Sequence, residues 1–502
     1  MILNFTFSFI LSLGLLARAE TLPHVFRLHL LSEPASLKPW EQKNSSGIYL
    51  LGQVYGTLLK YQDHQLQSSL AEKCEFKKPK LIECRLKKGI TFSDNTPITA
   101  LHFENSFKTF LKPENHAFRA DLLFSVKNAE QYYLGKKTAK DVGIRAKSDS
   151  LLEITLEKDD PEFLYNLNSP LLTVLKTSEL PEKGNASTMI TSGAYKIKSW
   201  ESLQKIILVH RTQPDIQVEF VFITEDSVAL NLYEKNELQF LRRLPTLYIP
   251  KYKDRPDYFA IDQIRFDYIG FGPELKAQDE LRRALSQSLV FEGLNQLLFT
   301  KGSFGCSGLL ASSHVQVPCV PTDLSAAKKI AEGLNRKTLP PLTLYFSKQG
   351  GDDFKRSMEW IQTEWKKNIN LDIKLEQMEN RLFVDLLKTK TPTLFRKGVA
   401  PDRPTCLSAF QSFDENIGGE RYSEKDPEIR KLILKLQISS KDPQAYRKTC
   451  DQSLKYFLDR SLIIPAGPVY FTLLAKPQWK GWKLNELNHL DLENLRFEPQ
   501  KP

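Results

Sequence analysis

The segment Arg396-Lys397-Gly398-Val399-Ala400-Pro401-Asp402-Arg403-Pro404 holds one carboxylate, Asp402, between two prolines and two arginines. A carboxylate on so stiff a turn is suited to neutralising a cationic ligand group at the edge of a cleft. The same composition describes a surface loop with a local ion pair, and these residues alone leave both readings open. Covalent chemistry finds less support. Neither a G-x-S-x-G elbow nor an H-E-x-x-H helix occurs, none of the eight histidines is paired with a Ser or Cys motif, and His102 and His314 read as surface residues. An enzyme is not expected, and neither is a cofactor or a metal.

The turn is set between a strand-like and a helix-like run, and the lobe around it reads as α/β. Leu342 to Phe346 is a predicted strand, Asp352 to Asn368 a helix with Phe354, Met358, Ile361 and Trp365 on one face, and Leu371 to Leu375 a second strand. That order is the βαβ signature of a parallel sheet. Upstream, His24 to Leu31 alternates as an opening strand, Ile48 to Leu59 reads as a helix, and Thr99 can cap a helix over His102 to Leu111. Further strands are expected at Ala194 to Trp200, Lys205 to His210 and Val218 to Ile223. Glu280 to Leu298 reads as one amphipathic helix and Pro443 to Leu458 as a late one, followed by strands at Leu462 to Pro465 and Val469 to Ala475.

At 502 residues the chain exceeds one core of ordinary size, so two or three compact units are expected. Its 41% hydrophobic and 26% charged shares are those of a globular protein, and 11% aromatic residues suffice to line a cleft. The net charge of +10 is spread along the chain without a finger, RNP-like or basic-helix motif, so nucleic acid is not an expected partner. Residues 1–19 form an apolar run closed by Ala17-Arg18-Ala19, which reads as a signal peptide cleaved after Ala19. No Cys stands at that point, so no lipid anchor is expected. Six cysteines in an exported chain suggest three disulfides: Cys74 with Cys84 across a hairpin, Cys306 with Cys319, and Cys406 with Cys450 as the remaining two. Zinc is the rival reading, and no C-x-x-C or H-x-x-x-H spacing supports it.

Several stretches together resemble the extracytoplasmic solute-binding proteins of ABC transporters, family 5, which bind oligopeptides, dipeptides and nickel. Glu33-Pro34, Ser36-Leu37 and Pro39 are similar to the family's opening motif, and Leu86 to Ala100 to its most characteristic segment, with Ser106 following. Thr191-Ser192-Gly193-Ala194-Tyr195 and Leu281-Arg282-Arg283-Ala284-Leu285 resemble a later strand start and helix. Asn128-Ala129-Glu130 and Gly135-Lys136-Lys137 resemble the oligopeptide-binding branch in particular.

The resemblance implies a two-lobed periplasmic-binding-protein-like α/β fold (class II, cluster C) with an inserted α+β domain. It places domain I at 20–42, 169–265 and 476–502, domain II at 43–168 and domain III at 266–475. It implies a monomeric periplasmic protein that captures short peptides between its lobes and delivers them to an ABC permease. Asp402 then takes the place of the residue that pairs with the ligand's α-amino group, and Arg396 that of an arginine able to meet a carboxylate, with Gly398 also matching. Lys43, Asn44 and Ser45 fall where the family contacts the peptide backbone; Phe118 and Tyr470 are candidate cleft aromatics, with core roles as the alternative. Val399 stands where the family has a Trp and Arg403 where it has a Tyr, so a non-peptide or cell-wall-derived ligand, or a sensor role, is the alternative.

Overall fold

The computed structural model describes residues 23–298, 320–348, 351–401, 403–413 and 427–499. The expected signal peptide, the Cys306–Cys319 pair and Asp402 lie outside the described residues, as do the side chains of Val399 and Tyr470.

One ten-stranded sheet runs through both lobes. In the first lobe, His24–Leu30 lies parallel to Ile216–Phe222 and to Phe240–Leu241, with Lys205–His210 and Tyr195–Glu201 completing that edge. In the second, Thr343–Ser347 lies parallel to Lys374–Met378 and to Leu394–Val399. The helix Gly351–Ile369 makes the crossover, with Met358, Ile361 and Trp365 fully buried, as the spacing predicts.

Two long antiparallel neighbours, Tyr258–Phe271 and Ile463–Ala475, carry the chain from lobe to lobe. One end of the pair joins Leu394–Val399 and the other joins Phe240–Leu241. Their register shifts between Asp262 and Phe266 and again between Phe266 and Tyr268, where the partners are Pro468 and Pro465. Proline has no N–H to give the ladder, so it falls where pairing is already interrupted. The two strands expected near the C-terminus are thus one, bent at its prolines.

The inserted unit is a four-stranded antiparallel sheet of Ala71–Lys78, Leu81–Leu86, Leu151–Thr155 and Ile144–Ser148, with Cys74 directly opposite and bonded to Cys84. Its Ile82, Phe103 and Ile154 share one apolar core with Phe26 and Leu28 of the first lobe. The second lobe has its own cores, one around Trp365 and one around Phe410 and Phe457. A disulfide between Cys406 and Cys450 staples the helix Cys406–Gln411 to Pro443–Asp459.

Two helices differ from their expected spans, each for a visible reason. The first is Ser45–Val54, capped by the Asn44 side chain and ended where the Ser192 and Gly193 N–H groups bond to the Val54 carbonyl at 3.1 and 2.9 Å. A Cβ on Gly193 would lie 2.4 Å from the Gln53 carbonyl, so only glycine permits that approach. Glu280 to Leu298 is divided into Asp279–Gln287 and Glu292–Leu297. Side chains of the crossover helix take the carbonyls freed at the break: Trp365 Nε1 donates to Leu285 O at 2.8 Å and Asn368 Nδ2 to Ser288 O at 2.7 Å.

Candidate functional site

In both lobes the parallel strands end toward the interlobe cleft, where open α/β sheets bind ligands beyond their strands' carboxyl ends. Past those ends lie residues 31–46 and Arg242 to Thr246 in the first lobe, and Ala400, Pro401 and Arg403 to Thr405 in the second. The two sides meet directly: Thr246 donates through its N–H and hydroxyl to Asp353, at 3.2 and 2.5 Å.

On the first-lobe side Lys43 Nζ sits 5.8 Å from the centre of the exposed Phe118 ring. Asn44 spends its side chain on the Gly47 N–H as a helix cap, and the Ser45 hydroxyl accepts from Arg242 Nη2 at 3.3 Å. Arg242 itself lies 5.1 Å over the Tyr49 ring.

On the second-lobe side Arg396 is buried against Asp267 of the crossing strand and lies 3.0 Å from the centre of the Phe354 ring. Burial pulls its guanidinium down to about 10, opposed by Asp267 and assisted by Arg265, so it stays charged at neutral pH. Gly398 faces the same carboxylate: a Cβ there would lie 2.1 Å from Asp267 Oδ1. The glycine therefore makes room for the Arg396–Asp267–Arg265 cluster, with Arg265 Nε 3.1 Å from Asp267 Oδ1.

Arg403 turns to the first lobe. Its Nη1 and Nη2 donate to both oxygens of Asp160 at 2.7 and 2.8 Å, and its Nε to Asn166 Oδ1 at 2.8 Å. Beside it Thr405 and Tyr446 donate to Glu162 at 2.7 and 2.8 Å, and Lys441 Nζ lies 2.6 Å from Asp159. Burial pushes the Asp160 carboxyl up, but Arg403 and Ser125 outweigh it and hold it below the usual range. For Glu162 burial prevails and the carboxyl is raised. This clasp was not foreseen. Lys158-Asp159-Asp160-Pro161-Glu162 has the composition of a solvated loop, and long-range packing buries Asp160 and Glu162 within it.

The structure thus sets the expected residues in four places: Lys43 with Phe118, Ser45 against Arg242, Arg396 with Gly398 around Asp267, and Arg403 against Asp160. A cavity of about 480 Å³ lies elsewhere in the first lobe, beside Lys60, Tyr61 and His210. Its most prominent charges pair with one another, Lys60 with Asp491 at 2.9 Å and with Glu493.

Two α/β lobes joined by a pair of crossing strands, with strand ends facing across a cleft, define a two-lobed binding protein. Residues 65–419 match the family described as bacterial extracellular solute-binding proteins, family 5 Middle, and the chain belongs to that family. The oligopeptide-binding protein OppA of Bacillus subtilis is 24% identical over 487 residues, covering 88% of this chain and 87% of its own. The solved Escherichia coli murein tripeptide-binding protein MppA superposes with a TM-score of 0.79 at 20% identity, over 96% of this chain and 100% of that one. Haemophilus influenzae OppA, solved with the peptide RPPGFSPFR, gives 0.77 at 19% identity over 95% and 99%. These likenesses establish the fold. No helix among the described residues is long and apolar enough to cross a membrane.

Proposed function

We propose that this protein is a periplasmic receptor that closes over short peptides between its lobes and hands them to an ABC permease. The observation that carries the reading is the arrangement of two lobes whose parallel strands lead into segments that meet each other, with two strands crossing between them among the described residues. Family membership and the peptide-binding relatives support it. Closure is selected because a ligand touches both lobes only when they meet. The chain is read as exported with cleavage after Ala19, monomeric, and divided into domain I (20–42, 169–265, 476–502), domain II (43–168) and domain III (266–475).

Asp402 is assigned the ligand's ammonium group. Arg403, its sequence neighbour, is fixed to Asp160 across the cleft, and this anchors the segment on one side. Lys43, Asn44 and Ser45 border the peptide backbone and Phe118 a side-chain pocket, with Arg396 and Gly398 shaping the opposite wall. Val399 stands where the family has an aromatic residue, and that departure favours a second reading, a cell-wall-derived peptide. Native mass spectrometry of the protein purified from its own periplasm tests both. A released peptide of a few residues is expected; a branched cell-wall fragment selects the second reading, and a non-peptide ligand overturns the peptide assignment.

A further inference from the structure

Burying a guanidinium without a counter-charge is costly, and Arg242 is in that position. It is 6% exposed, immediately after Phe240–Leu241 at the carboxyl edge of the first-lobe sheet. Nη2 reaches the Ser45 hydroxyl and the Tyr49 ring lies alongside, but Nη1 has no acceptor, and no ion pair forms to Arg242 among the described residues. His29 nearby is buried with both ring nitrogens unpartnered, and Arg243 is committed to Asp226. The other guanidinium groups near the cleft each have a carboxylate: Arg396 and Arg265 have Asp267, and Arg403 has Asp160. Four residues beyond Arg242, Thr246 makes the interlobe contact to Asp353, so the segment that carries Arg242 runs to the boundary between the lobes.

We infer that Arg242 receives a carboxylate of the ligand, and that the protein selects peptides presenting a free carboxylate to the first lobe. This rests on the peptide reading above. The ligand's anion supplies the counter-charge the fold omits, with Ser45 positioning the guanidinium and Tyr49 supporting its face. Arg396 is thereby relieved of the carboxylate role, since Asp267 already holds it.

Calorimetric titration with two peptide pairs tests the assignment. Trialanine acid against its amide reports a C-terminal carboxylate; Ala-Glu-Ala amide against Ala-Gln-Ala amide reports a side-chain one. In the wild type one pair is expected to differ by on the order of 30-fold or more, and the ratio falls to near one in Arg242→Met. The unliganded Arg242→Met protein is expected to melt no lower than wild type, because an unpaired buried charge has been replaced by an apolar chain. A lower melting temperature marks Arg242 as structural and overturns the inference. So does a wild type that discriminates neither pair, or a ratio that survives the substitution. Failure of all four peptides to bind wild type overturns the peptide reading and this assignment with it, whereas binding without discrimination overturns only the assignment.

Discussion

Arg403 and Asp160, 243 residues apart in the chain, form a two-pronged ion pair that joins the lobes. Both side chains are 11% exposed, so solvent screens the pair little. Removing one partner of such a buried pair typically costs about 3–5 kcal/mol. In Arg403→Ala or Asp160→Asn the unliganded protein is expected to open. Small-angle scattering checks this as a larger radius of gyration than wild type, and unchanged scattering from both variants would remove the clasp from the account.

His29 gives the protein a pH dependence of definite sign. Burial, reinforced by Arg242 and Arg243, lowers its pKa from 6.5 to about 3. The unfolded chain therefore takes up a proton below pH 6.5 that the native protein refuses. Stability is lost as pH falls from there toward 3, by on the order of a few kcal/mol. His29→Leu is expected to flatten the fall in urea midpoint between pH 7.5 and 4.5 and to raise the midpoint at both. Parallel curves for the two proteins would contradict this.

The two described disulfides close loops of different length, with sequence separations of 10 for Cys74–Cys84 and 44 for Cys406–Cys450. In the chain-entropy account the shorter contributes about 3 kcal/mol and the longer about 4 kcal/mol. Replacing Cys406 and Cys450 with serine is expected to lower the denaturation midpoint more than the same change at Cys74 and Cys84. It also loosens Tyr446 from Glu162, because the staple fixes one helix against the other.

Gly398→Ala tests the crowded carboxylate. The new methyl meets Asp267 and Arg265, so the cluster must move or the strand must shift, at a cost of about 1–3 kcal/mol. Lower stability together with weaker ligand binding is expected in calorimetry and titration; an unaffected variant would show that Asp267 has room to retreat.

What the sequence made legible was local. Phe354, Met358, Ile361 and Trp365 recur at helical spacing, and Cys74 and Cys84 face each other over a short turn, so the crossover and the hairpin could be read directly. The hinge strand Tyr258–Phe271 escaped, because Asp262, Gln263, Arg265 and Asp267 break its apolar alternation. Asp267 pairs in the interior with its near neighbour Arg265 and with Arg396, 129 residues away, and no local window on the sequence contains that second partner. The clasp was hidden in the same manner, since Asp160 and Glu162 look solvated until Arg403, Thr405 and Tyr446 arrive from the other lobe. Candidate ligand residues were reached through resemblance, and the departure at Arg403 marked a residue that makes one of the contacts between lobes.

The crossing strands hydrogen-bond to each other as well as to their own lobes. Sliding one lobe past the other would break that ladder along its length, whereas bending and twisting at the interrupted register around Phe266 leave most of it intact. The molecule therefore has rotation but almost no translation available to it. Ligands of different size are expected to be registered as different closing angles.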